Sequence, residues 1–362
     1  MRRYWLDNLR WVTVILVLIY HVFYFYNNKG VFGGIGGFVD DPIGQPQDVV
    51  MYILYPWFMM LLFIVAGISA RYSLDKYSAS EWLRIRTRKL LVPSTIGLLV
   101  FQWMVGYFNA RWHLPEGIPA LIKWPIYAVS GIGPLWFIQD LWLFSLLLPL
   151  VRKLDGHSRF HEFCGKLSAP VLILAGGVIV YIASQLLIMH PRENSFDGLL
   201  NLYKPLTYFV LFLMGYFVFS HEAVQEKVAK VYKPLLCCAA SAGIALVWIG
   251  WGSDLTSPQY LSGWLNCLYA WLMILALLGL FKARFDHTDR FRSYMSRSSY
   301  GIYIVHYLII TAVGTFLKAN CTPWMCYVGL LTAVLLLSPA IYEILRRIPV
   351  VMWCVFGIRQ RQ

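Results

Sequence analysis

An all-α polytopic membrane protein, with about ten transmembrane helices and both termini in the cytoplasm, is the fold class the sequence predicts. Three observations carry that reading. Of 362 residues, 59% are hydrophobic and 14% charged, against about 45–50% and about 25% in soluble domains. Ten apolar segments are long enough to cross a bilayer, which takes about 20 residues per helix: near 9–27, 50–70, 91–108, 133–151, 167–189, 203–220, 234–252, 262–281, 299–317 and 324–345. The alternate segments 1–10, 71–89, 152–166, 221–233, 282–298 and 346–362 hold 25 of the 31 Lys and Arg residues, and the positive-inside rule puts those segments in the cytoplasm. The chain is read as one transmembrane domain over 1–362, with no appended soluble domain. Topology accounts for the net charge of +13; basic residues dispersed over these six segments give a nucleic-acid footprint little support.

In the first helix, Arg10 and His21 interrupt an apolar run. Eleven steps at about 100° return to within about 20° of the start, so both share one face, with a rise between them of about 16 Å. Asp7 falls within about 40° of the same face. The run has no small-residue cleavage site, so it reads as a retained anchor helix rather than a signal peptide. Intramembrane ionisable residues usually mark a function. The loop that follows, about 28–49, holds six glycines with Asp40, Asp41 and Asp48, and reads equally as a mobile lid or a flexible connector.

The next inner loop, 71–93, sets Arg84, Arg86, Arg88 and Lys89 just before the third span, with Arg71 at the end of the second. Topology signalling is one reading; a pocket for a ligand with several phosphates is the other. Pro93 is placed in the first turns of that span, where a missing N–H costs least. Segment 109–132, interrupted by prolines, is expected along the outer surface. Beyond it, Asp140 lies between Trp136 and Trp142. A carboxylate beside an indole suits a sugar, and a tryptophan belt with a structurally paired acid is the alternative. Later, Ser299, Tyr303 and His306 share a stripe that either lines a site or ties helices together.

The outer acids and histidines His113, Glu116, His190, Glu193, Asp197 and Asp254 are irregularly spaced and read mostly as solvated loop residues. Seven scattered cysteines show no metal-ligand spacing, so no metal is expected. Cys321 and Cys326 are read as a disulfide or as two free thiols. There is no internal repeat, and no hydrolase elbow, zinc-protease or P-loop signature.

Taken in order, five segments resemble the membrane-bound acyltransferase family three (acyltransferase 3, which includes glucan-succinylating enzymes): LDNLRWVTVILVLIYH at 6–21, LLFIVAGISAR at 61–71, RIRTRKLLVP at 84–93, GPLWFIQDLW at 133–142 and SYGIYIVHYLII at 299–310. Ala66 stands where that family usually has a serine before the glycine, which argues against a serine nucleophile. The resemblance implies a bacterial cytoplasmic (inner) membrane enzyme that moves an acetyl- or succinyl-class group from acyl-CoA to a hydroxyl of an extracytoplasmic glycan or glycolipid. It implies His21 as catalytic base, and Arg10, Arg71, Arg86 and Arg88, with Lys89 beside them, on the donor. Asp140, Trp136, Tyr303, His306 and Asp7 are assigned to the acceptor or to support. No bound cofactor is expected beyond acyl-CoA as co-substrate. The competing classes are a proton-coupled carrier using His21, Asp140 and His306, and a non-catalytic scaffold; acyl group, acceptor and oligomeric state stay open.

Overall fold

A bilayer offers no water to unpaired backbone groups, so an apolar chain of this kind closes its hydrogen bonds within helices. In the computed structural model every regular element among the described residues is helical. Those residues are 3–28, 34–39, 44–109, 114–115, 117–156, 158–187, 205–255 and 257–358. In chain order the α-helices are α1 (Tyr4–Phe25), α2 (Val49–Leu54), α3 (Phe58–Leu74), α4 (Ala79–Arg86), α5 (Trp103–Phe108), α6 (Ala120–Ser130), α7 (Trp136–Leu154), α8 (Arg159–Gly165) and α9 (Ala169–Leu187). They continue as α10 (Pro205–Met214), α11 (Glu222–Lys230), α12 (Tyr232–Gly250), α13 (Pro258–Ser262), α14 (Trp264–Arg284), α15 (Arg290–Asn320), α16 (Pro323–Leu345) and α17 (Pro349–Phe356).

Eight helical stretches among the described residues are long and apolar enough to cross a membrane, and the bent pair Pro205–Phe219 and Glu222–Lys230 makes a ninth. The expected span at 91–108 is the one that does not form. Pro93 removes a backbone donor, and the chain answers with a π turn at Thr87–Leu91, a non-helical break, and a second π turn at Leu98–Gln102. Only Leu98–Phe108 remains as continuous apolar helix. Pro93 therefore opens a break instead of seating in a first turn. Segment 109–132 supplies α6, an eleven-residue helix.

Three hydroxyls inside the spans are satisfied locally. Thr13 donates to the Leu9 carbonyl at 2.7 Å, Ser69 to Val65 at 2.8 Å and Thr311 to Tyr307 at 3.1 Å, each one turn back along its own helix.

The chain separates into two compact units. The first holds Met1–Leu16, Val49–Leu83 and Leu143–Ser296; the second holds Val17–Asp48, Arg84–Trp142 and Arg297–Gln362. In the first unit α12 packs along α14, and α3 packs against α10. Phe63 stacks on Tyr208 with ring centroids 4.5 Å apart, and Phe144 closes on Phe63 and Phe212. Gly67 and Gly215 let α3 meet the Pro205–Phe219 stretch backbone to backbone: a Cβ on Gly67 would stand 2.0 Å from the Phe212 carbonyl oxygen, and one on Gly215 would stand 2.1 Å from that of Ile64. Gly67→Ala is accordingly expected to destabilise the protein by about 1–3 kcal/mol, read as a fall in the thermal midpoint of the detergent-solubilised protein. A midpoint equal to the wild type would contradict that contact.

In the second unit α5 packs on α6, and the indole of Trp124 donates to the Leu99 carbonyl at 3.0 Å. The described parts of the first outer loop are anchored there. Lys318 donates to the carbonyls of Ile35 and Gly36 at 2.7 and 2.8 Å, and Gln45 donates to the Tyr26 carbonyl at 2.7 Å and to Asp48 at 3.1 Å. Cys321 and Cys326 are free thiols.

Candidate active site

Within the second unit, the end of α1 and the middle of α15 lie side by side, joined by a 2.9 Å hydrogen bond from the Tyr26 hydroxyl to the Gly314 carbonyl. That pairing brings His21 to His306. The Nδ1 atom of His21 is 3.2 Å from Nε2 of His306, and the ring centroids are 5.1 Å apart. Nδ1 of His306 is 2.5 Å from the carbonyl of Tyr303. His306 is fully buried, whereas His21 is half-buried. Tyr20, Tyr24 and Tyr307 stand edge-on around His21 at 5.3, 6.0 and 5.4 Å. The hydroxyl of Tyr303 donates to the Pro134 carbonyl just before α7. The expected polar stripe on α15 thus divides its work: Tyr303 ties helices, and His306 faces the other intramembrane histidine.

Asp140 is buried in α7 and makes no ion pair among the described residues. Trp136 is half-buried beside Phe137. Trp142 is half-buried, and its indole donates to Thr87 at 3.2 Å. Gln139 donates to the Ser94 carbonyl at 3.3 Å, so α7 is fastened twice to the segment that carries the basic cluster. Gln102, a buried amide that carries no sequence signal, donates to the Ile304 carbonyl at 3.1 Å and braces α15 two residues before His306.

Arg86 closes α4, and Arg88 and Lys89 lie in the π turn that follows. Pro93 leaves the Lys89 carbonyl without its helical donor, and the Tyr300 hydroxyl supplies one. On the other side Gly357, with φ +61°, closes α17 against this turn. A Cβ there would stand 2.2 Å from the Arg88 carbonyl oxygen. The backbone of the cationic segment is therefore held by partners from both directions. The Nε of Arg88 is buried with no hydrogen-bond partner among the described residues. Lys89 is exposed.

Arg10, Asp7 and Arg71 belong to the first unit. Arg10 pairs with Asp7 at 3.5 Å and donates to Ser69 at 2.8 Å. Arg71 pairs with Asp75 at 3.6 Å and donates to the Tyr216 hydroxyl at 3.2 Å. Near it stands a pair that no sequence spacing announces: the rings of His161 and His221 lie 3.9 Å apart, centroid to centroid, and His221 Nε2 donates to the His161 carbonyl at 2.8 Å. Burial first, then the charge of Arg71 and the neighbouring ring, push His161 down to about 4, and burial with Arg71 lowers His221 as well. Both groups bind protons more readily in the unfolded chain, near 6.5, so stability is greatest above that pH and is lost as pH falls toward 4. The thermal midpoint is expected to drop between pH 7 and pH 5, and His161→Gln is expected to flatten that slope. An unchanged slope in the variant would contradict the assignment.

Among the outer acids and histidines, His113, Glu116, His190, Glu193 and Asp197 lie outside the described residues. Asp254 sits in the turn before α13, where its carbonyl accepts from Ser257 Oγ at 2.8 Å. Among the described residues no group of three His, Cys, Asp or Glu side chains stands close enough to hold a metal ion. Comparison with curated proteins and with solved structures gives no match. A family model does match: the acyltransferase domain of family 3 covers residues 3–343, a stretch that contains His21, Arg88, Asp140 and His306. This chain, with its eight or nine apolar spans, therefore belongs to the acyltransferase 3 family and is a multi-pass membrane acyltransferase.

Proposed function

We propose that the protein is an O-acyltransferase that moves an acetyl- or succinyl-class group from cytoplasmic acyl-CoA to a hydroxyl of an extracytoplasmic glycan or glycolipid, with His21 as general base. The observation that carries the reading is a half-buried histidine inside an apolar span of an acyltransferase, held at one nitrogen by a second, fully buried imidazole. Acyl transfer needs a group that takes the acceptor's proton as the new C–O bond forms. The free nitrogen of His21 takes it, the hydroxyl oxygen attacks the thioester carbonyl, the C–S bond breaks, and the proton returns to the departing thiolate. The products are an ester and free coenzyme A.

Arg86, Arg88 and Lys89 are assigned to the phosphates of the donor, and the support for this is the orphaned Arg88 Nε together with a firmly held backbone. Arg10 and Arg71 are assigned to the donor by family resemblance. Asp140 and Trp136 are assigned to the acceptor side. The distribution of Lys and Arg supports cytoplasmic termini, and the family resemblance supports a bacterial inner membrane.

Purified protein given radiolabelled acetyl-CoA or succinyl-CoA with candidate glycans is expected to release coenzyme A and label the glycan. Flux of a substrate into proteoliposomes with no thioester consumed would overturn the reading in favour of a carrier.

A further inference from the structure

From the hydrogen-bond chain Tyr303 carbonyl, His306, His21, we infer that His306 is a positioning residue that fixes the His21 tautomer and leaves Nε2 of His21 as the basic atom. The inference rests on the reading of His21 as the base and adds which atom acts and what holds it.

A carbonyl oxygen only accepts, so the His306 nitrogen that faces the Tyr303 carbonyl, Nδ1, carries the hydrogen. A neutral imidazole carries one hydrogen, so Nε2 of His306 is bare and accepts. The atom 3.2 Å away, Nδ1 of His21, must then donate. With its single hydrogen committed there, His21 presents an unprotonated Nε2.

Burial makes the arrangement directional. His306 is fully enclosed, with Tyr303 and Tyr307 packed on its ring at 5.7 and 5.9 Å. Tyr303 is itself tied by its hydroxyl to Pro134, so the carbonyl that orients His306 does not swing away. When His21 takes the acceptor's proton on Nε2, its Nδ1–H bond to His306 strengthens, because the donor is then charged. His306 fills the place that a carboxylate fills in a serine-hydrolase triad, as an uncharged acceptor. Its own proton stays on Nδ1 throughout, and no proton crosses between the two rings.

The test compares substitutions at position 306 in the purified full-length protein with acetyl-CoA and an accepted glycan. His306→Met matches the length of the side chain and offers only a weak thioether acceptor; His306→Gln places an amide oxygen near the position of Nε2. His306→Met is expected to lower kcat by about 100-fold while the KM for acetyl-CoA stays within about twofold, and His306→Gln is expected to recover kcat to within about tenfold of the wild type. Thermal midpoints of both variants report folding, so a collapse of packing separates from a loss of kcat. Wild-type kcat in His306→Met, or equal losses in folded Met and Gln variants, would overturn the inference. His21→Ala separates the two levels: full activity there removes the base itself, whereas an inactive His21→Ala beside an active His306→Met removes only the role given to His306.

Discussion

His21→Ala is expected to lower kcat for acyl transfer by about 10²–10⁴-fold while leaving the KM for the acyl donor nearly unchanged. The split follows from what the side chain touches. His21 packs among Tyr20, Tyr24 and Tyr307 and is bonded to His306, and neither its neighbours nor its place far along α1 from the Arg86–Lys89 segment in sequence gives it a part in holding phosphates. Its removal takes away the acceptor of the hydroxyl's proton in a span where water is scarce to replace it. Steady-state kinetics with varied acetyl-CoA measures both parameters in one experiment. A variant with raised KM and preserved kcat would make His21 a binding residue and end its assignment as base.

Arg88→Ala is expected to do the reverse, raising the donor KM by about 10–100-fold with a smaller change in kcat, as the loss of a charge-assisted hydrogen bond of about 1.5–3 kcal/mol implies. The basis is the buried Nε without a partner on a turn pinned by Tyr300 and Gly357. A donor stripped of its nucleotide, such as acetyl-pantetheine, offers no phosphate, so wild type and variant are expected to use it equally well. Discrimination against the truncated donor that survives Arg88→Ala would move the phosphate site elsewhere.

Most of the helical frame was legible because length and apolarity decide it. The stretches Tyr4–Phe25, Ala169–Leu187, Tyr232–Gly250 and Pro323–Leu345 fall within a few residues of their sequence-based bounds except at the start of the first. The span at 91–108 failed because hydropathy does not weigh Pro93, whose missing donor is met by π turns and by a tyrosine more than 200 residues away. Likewise the 96° bend after Phe219 is invisible to an apolar window. The site was half legible. His21, His306 and the basic run stood out as polar residues in apolar surroundings, and their order along the chain carried the family resemblance. That His21 and His306 touch, across 285 residues, depends on how α1 meets α15 and on no local spacing. The Trp142 bond to Thr87 was not legible for a related reason: an indole beside an acid in sequence says nothing of which group takes its N–H. The His161 and His221 pair, 60 residues apart, carries no periodic signal at all.

The central claim is that donor and acceptor meet at His21 from opposite sides of the membrane, so the acyl group crosses by chemistry. Proteoliposomes with the protein in a single orientation, radiolabelled acetyl-CoA sealed on the side of the termini and an accepted glycan supplied only on the other, test it directly. Label on the glycan, abolished by His21→Ala, is the expected result. Labelling only when acetyl-CoA and glycan share one compartment would contradict the account.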